Sequence, residues 1–284
     1  MLIVLSSLAR AQGDDRINVF VSILPQKYFV ERIGGDMVKV SVLVPPGASP
    51  HIYEPKPRQM EALKKTRAFF AVGINLEDVW LKKIQALHPD IVIIRTDENV
   101  KKIPVSTHKH EEIEGRHDNE EHGSPDPHIW LSPPLVRIQA ETIMNGLILI
   151  DPAHGELYTE NFRKFIKEID DLDSRFRTIF RDREGMEFMV FHPSWGYFAD
   201  TYGLKQISIE MDGKEPKPSR IKELIEHARN RGIKVVFVQP QISPKTAEII
   251  AKEINGSVLV ADPLAEDWLL NLETQAEKFW KALK

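Results

Sequence analysis

The 284-residue chain has a formal net charge of −4, with 42% hydrophobic and 28% charged residues, the balance of a soluble globular protein with a sizeable core. The mild acidity argues against nucleic acid as a partner, because such proteins carry a basic footprint. Cysteine is absent, which excludes disulfides, thiolate metal sites, a cysteine nucleophile and a lipidated N-terminal cysteine in this sequence, so any metal has to be held by nitrogen and oxygen donors.

The chain opens MLIVLSSLARAQ. Residues Met1 to Leu8 are apolar or small, and Ala9-Arg10-Ala11 fits the small-x-small pattern before a signal cleavage site, so 1–16 is expected to be the remnant of an export leader whose basic start is missing. No later run reaches the ~18–20 uninterrupted apolar residues that a membrane span needs, so the mature chain is expected not to insert into a membrane. Short β-branched runs then alternate with segments of helical period, the βαβ signal. Strands are expected over 17–24, 38–44, 68–73 and 91–95, with helices over 26–33, 57–65 and 76–87 between them.

The segment 106–126, STHKHEEIEGRHDNEEHGSPD, fits no element. It is polar and nearly without apolar anchors, and is expected to be a mobile loop because it cannot offset the entropy of its own ordering. A helix over 134–150 ends at Asp151-Pro152, and 153–181 reads as one long charged helix. Its apolar residues Leu157, Phe162, Phe165, Ile169, Leu172, Phe176, Ile179 and Phe180 recur at three- and four-residue steps, which places them along one stripe. Two shorter helices broken near 170–173 are the alternative. Strands over 187–191, 205–209, 234–238 and 257–260 follow, with helices over 195–202, 218–231, 245–254 and 266–283. The expected class is α/β, with two similar lobes built on parallel-type sheets. These are an N-terminal lobe over 17–150 and a C-terminal lobe over 183–284, joined by a long rigid helix over 151–182.

Four metal-competent side chains stand just past expected strands. His51 lies in a turn-rich stretch after 38–44, His128 in Asp126-Pro127-His128-Ile129-Trp130, His192 at the end of 187–191 before Pro193, and Asp262 after 257–260 before Pro263. In open parallel sheets ligands bind beyond the carboxyl ends of strands, so a cleft between lobes can gather all four. The flanking prolines restrict the backbone and hold the side chains in place. Three imidazoles and one carboxylate suit zinc, with manganese second because it prefers more carboxylates. Histidines titrate near ~6.5, so binding is expected to weaken in mild acid. His88, His154 and His227 read as surface or helix residues, Ser194 as a turn residue outside any nucleophile elbow, and Trp195 and Tyr197 as cleft walls.

The strings Gly47-Ala48-Ser49-Pro50-His51-Ile52-Tyr53-Glu54-Pro55, Asp126-Pro127-His128-Ile129-Trp130-Leu131-Ser132-Pro133, Phe191-His192-Pro193-Ser194-Trp195-Gly196-Tyr197-Phe198 and Asp262-Pro263-Leu264 resemble the four ligand motifs of zinc and manganese solute-binding proteins of ABC importers, the ZnuA/TroA-like family. The resemblance runs from about residue 17 to the C-terminus and implies two lobes with the ion, Zn2+ or alternatively Mn2+, in the cleft between them. It implies His51, His128, His192 and Asp262 as ligands, periplasmic or extracytoplasmic location, a monomer, delivery to a membrane permease, and no catalysis. The acidic, histidine-rich loop is typical of the zinc branch, and His108, His110, His117 and His122 are its accessory metal candidates. His192 stands where the manganese branch commonly has Glu. Ala265 replaces an expected glycine, and a cysteine pair seen in some zinc members is missing. Two rival readings are a zinc hydrolase with Glu54 or Glu210 as general base, and a metal buffer or adhesin on the same fold.

Overall fold

The computed structural model describes residues 16–105, 124–211 and 213–283. The expected leader therefore lies outside the described residues except for Arg16. The loop histidines His108, His110, His117 and His122 lie outside them as well.

The N-terminal half alternates β1 (Ile17–Val21), α1 (Leu24–Gly34), β2 (Val38–Val42), α2 (Pro57–Ala62), β3 (Ala68–Ala71), α3 (Asn75–Leu87) and β4 (Val92–Arg95). After α4 (Pro133–Ile150) a short 3-10 turn, Pro152–His154, leads into α5 (Gly155–Phe180). The second half runs β5 (Glu187–Val190), α6 (Gly196–Thr201), β6 (Lys205–Ser208), α7 (Pro218–Arg231), β7 (Val235–Val238), α8 (Lys245–Glu253), β8 (Ser257–Val260) and α9 (Trp268–Ala282). Each half forms a four-stranded sheet, ordered β2-β1-β3-β4 and β6-β5-β7-β8, and every paired strand is parallel. In both sheets the chain reverses its direction of travel around the first strand of the half. The carboxyl ends of β1 and β3, and of β5 and β7, therefore flank the crevice where such folds bind ligands.

Helix α5 is continuous over 26 residues through the 170–173 stretch, so the two-helix alternative is not what forms. At 1.5 Å per residue it is ~39 Å long. Its stripe of Tyr158, Phe165, Ile169, Leu172, Phe176 and Phe180 is buried, while Leu157 and Ile179 at the stripe's edges stay over a third exposed.

Side-chain alternation along the second sheet shows how the two halves are tied. On β5, Phe188 and Val190 belong to a core that also contains residues of β1, β3, α1, α4 and α5, whereas Met189 and Phe191 belong to a separate core under α7 and α8. On β7, Phe237 faces the shared core, and Val236 and Val238 face the separate one. This is the period-two alternation of a sheet covered on both faces. From α9, Trp268 inserts among Tyr28 and Phe29 of the N-terminal half and Phe165 of α5, with its ring 5.2 Å from that of Phe29 in an edge-on contact. The indole N–H of Trp268 donates to the Trp130 carbonyl at 2.6 Å, and the indole N–H of Trp130 donates to the Pro263 carbonyl at 2.7 Å. Both indoles are buried, so each polar tip is satisfied across the boundary between halves.

Candidate metal centre

Three loops at carboxyl ends of strands deliver His51, His128 and His192 to one point. His51 follows β2 in a segment that is tied down twice. Gln59 Nε2 donates to the Leu43 carbonyl, and the Tyr53 hydroxyl and the Lys56 N–H both donate to Gln59 Oε1. His128 precedes the 3-10 turn Ile129–Leu131. Tyr197 clamps its loop, since its hydroxyl donates to the Asp126 carbonyl at 2.8 Å and accepts the Ile103 N–H at 3.2 Å. His192 sits directly beyond β5.

The Nε2 atom of His192 lies 3.1 Å from that of His51 and 3.2 Å from that of His128. One donor atom from each of the three residues falls within 4.8 Å of the others. Two zinc–nitrogen bonds of ~2.0–2.1 Å at the tetrahedral angle separate their nitrogens by ~3.3 Å, so the two spacings from His192 match edges of such a shell. Among the described residues this is the only group of three or more His, Cys, Asp or Glu side chains gathered this closely.

The rings are oriented by carboxylates behind them. His128 Nδ1 is 2.7 Å from Asp126 Oδ1, and His192 Nδ1 is 2.6 Å from Glu210 Oε1. An ionised carboxylate can only accept, so each Nδ1 carries the proton and each Nε2 presents its lone pair to the centre. Asp126 Oδ1 also accepts the His128 backbone N–H at 2.9 Å, and Asp126 and Glu210 are both buried. Gly196 is required here, because a Cβ on it would come within 2.6 Å of Asp126 Oδ2 and displace the carboxylate. His51 is open to solvent on one side while its imidazole packs into the cluster. Burial of its ring against the cluster, reinforced by the neighbouring His192 and His128, pushes its pKa down to about 3. His192 is also lowered, with burial outweighing the opposing effect of the hydrogen bond it donates to Glu210. Neutral imidazoles are the form that binds metal.

Asp262 stands apart from this group. Its Oδ1 accepts the Leu264 N–H at 2.9 Å and Gln241 Nε2 at 3.3 Å, and it lines a neighbouring cleft of about 330 Å³ with Pro45, Gly47, Gln241 and Glu266. The structure thus gathers three of the four expected residues closely and sets Asp262 in the cleft beside them. The cause is local, since an Asp before Pro closes its own turn by accepting from the backbone two residues on. Sequence reasoning gave Asp126 no role and considered Glu210 only as a general base. The two-residue step from Asp126 to His128 was a signal available for the first. Glu54 is exposed and outside the cluster. His88, His154 and His227 pair elsewhere, with the Met60 carbonyl, Asp151 and Glu187. Trp195 and Tyr197 are buried packing residues, and the Ser194 N–H donates to the His192 carbonyl in a tight turn.

A family model described as zinc-uptake complex component A, periplasmic, matches residues 19–282. The chain belongs to this family. A solved structure of ZnuA superposes with a TM-score of 0.87 at 40% identity, covering 95% of this chain and 100% of that one. The high-affinity zinc uptake system protein ZnuA of Bacillus subtilis is 28% identical over 254 residues, 88% of this chain and 79% of that protein. The zinc-binding protein AdcA of Streptococcus pyogenes is 27% identical over 272 residues, and the match spans 53% of its length. ZnuA-family membership places the chain among solute-binding receptors and not among enzymes, and the two-sheet α/β architecture with a long helix between the halves is the family's own.

The Nδ1 carboxylates of this ZnuA-family site lead to a direct expectation. Asp126→Ala and Glu210→Ala should each weaken zinc binding about 10–100-fold, the usual effect of removing a carboxylate that orients a metal-binding histidine. Competition with a chromophoric chelator measures it. Wild-type affinity in both variants would show that these carboxylates do not set the rings.

Proposed function

We propose that the chain is an extracytoplasmic receptor that binds one zinc ion with high affinity through His51, His128 and His192 and hands it to the permease of an ABC-type importer. The observation that carries this reading is the convergence of the three Nε2 atoms, with two of the rings locked from behind by Asp126 and Glu210. Imidazole-rich shells favour zinc over manganese, which is better served by carboxylates. The names of the relatives support zinc, and one solved relative is AdcA of Streptococcus pneumoniae with Zn(II) bound. A hydrolase would need a free general base, but Glu210 is engaged by His192. Among the described residues no helix is long and apolar enough to cross a membrane. The acidic loop with His108, His110, His117 and His122 is proposed to add weaker accessory sites, and the receptor is proposed to act as a monomer. Metal analysis of protein purified without added metal tests the reading. One zinc per chain, retained against excess manganese, is expected, and a preference for manganese would reverse the metal assignment.

Loading is proposed to involve little movement. The halves share one core and the paired indole hydrogen bonds of Trp130 and Trp268, which a wide hinge opening would have to break. His51 is the exposed member of the cluster, so exchange of the ion is proposed to run through its loop. Small-angle scattering profiles of zinc-free and zinc-loaded protein are expected to coincide closely. A clear change in radius of gyration would mean that the halves swing apart.

A further inference from the structure

We infer that Gln239 supplies the fourth donor to the bound cation through its side-chain amide oxygen, directly or through one water, and that Asp262 does not. The inference rests on the proposed zinc reading and names a residue that reading leaves out.

The pocket that holds the three imidazoles has room of only about 10 Å³, the space of a single water-sized body. Its other walls are Pro50, Ile74, Pro127, Trp130, Pro263 and Leu264, which have no side-chain group suited to a cation. Among the described residues Gln239 is the one further polar side chain lining it. Gln239 is 6% exposed, and its Oε1 is buried with no hydrogen-bond partner. A buried amide oxygen left unpaired costs ~1–3 kcal/mol, so such an atom calls for an unseen partner.

Sheet register puts the residue in the right row. β5 pairs in parallel with β6, Val190 opposite Ser208, and with β7, Val190 opposite Phe237. Counting two residues onward on each strand brings Glu210, His192 and Gln239 abreast. Backbone hydrogen bonds continue the ladder beyond the strands, from Glu210 N to the Phe191 carbonyl at 3.0 Å and from Phe191 N to the Phe237 carbonyl at 2.8 Å. His192 is thus flanked on one side by the carboxylate that holds its Nδ1 and on the other by an unpartnered amide.

Charge points the same way. A divalent cation, three neutral imidazoles and the carboxylates of Asp126 and Glu210 sum to zero. A neutral amide keeps that balance in a narrow, largely apolar pocket, whereas a third carboxylate leaves a net negative charge there. Asp262 already spends its Oδ1 on Leu264 N and Gln241.

The test measures zinc affinity by chelator competition and the visible spectrum of the cobalt(II)-substituted protein. Gln239→Leu is expected to lower zinc affinity at least about tenfold and to shift the cobalt bands. Circular dichroism on the same Gln239→Leu sample, expected to match the wild type, controls for misfolding. Asp262→Asn should leave both readouts at wild-type values. Unchanged affinity and spectrum in Gln239→Leu, or a loss in Asp262→Asn as large as that in Gln239→Leu, would overturn the inference. His128→Ala measured alongside keeps the two claims separate. Retained tight binding there would sink the zinc site itself, whereas its loss together with an indifferent Gln239→Leu would sink only the role of Gln239.

Discussion

Replacing His128 or His192 with alanine is expected to reduce zinc affinity by more than the ~10–100-fold assigned to the carboxylates behind them, because a metal ligand is lost and not only its orientation. Each ring also leaves a buried carboxylate, Asp126 or Glu210, without its imidazole partner, so the vacated site becomes a poor mimic of the original. The fold should survive. The cores that hold the two sheets together are apolar and lie beneath the strands, while the imidazoles sit beyond the strand ends. Titration against a competing chelator, with circular dichroism on the same samples, separates the two effects. Near-wild-type affinity in both variants would remove these residues from the ligand set, and loss of the circular dichroism signal would show that they are needed for folding as well.

The second large effect is on thermal stability and its pH dependence. A ligand at a thousandfold its Kd stabilises the folded state by about 4 kcal/mol, which in a chain of this size raises the melting temperature by on the order of 10 °C. The apo protein should lose stability in acid for a reason that follows from the sign of the shifts. His51 is depressed to about 3 and His192 is depressed too, while in the unfolded chain both titrate near ~6.5. Below ~6.5 the unfolded chain therefore takes up protons that the folded site refuses. The stability associated with these two groups is complete above ~6.5 and drains as the pH falls towards the folded value of His51. The same depression weakens the competition of protons for His51 and His192 in mild acid relative to free histidine. This modifies the simple expectation drawn from free histidine, under which binding already fails near ~6.5. The melting temperatures of both forms should fall between neutral pH and pH ~5.5, while the gap between them persists and closes only at lower pH. Melting curves with and without zinc across that range decide it. A gap that collapses around pH ~6.5 would show that the cluster titrates as ordinary histidine.

Much of this protein is legible from its residues because local chemistry and the final fold agree. The β-branched runs became strands, the middle of the expected stripe, from Phe165 to Phe176 with Phe180, became one buried helix face while Leu157 and Ile179 stayed exposed, and the Pro-flanked histidines fell beyond strand ends, where parallel sheets bind ligands. The resemblance of the motifs to ZnuA-like proteins was carried by runs of neighbouring residues, which a sequence displays directly. What makes the site work is not local. Glu210 stands eighteen residues from His192 in the chain, and only the parallel pairing of β5 with β6 sets its carboxylate on that ring. Gln239 reaches the same row through the pairing of β5 with β7. Asp262, an Asp before Pro after a strand, is placed in the sequence like the histidines. The direction of its side chain was decided by its own turn and by Gln241, which is twenty-one residues away. Residue type and strand end thus determine which donors can approach the cleft. Sheet register and turn hydrogen bonds, which depend on contacts between distant strands, determine which of them converge.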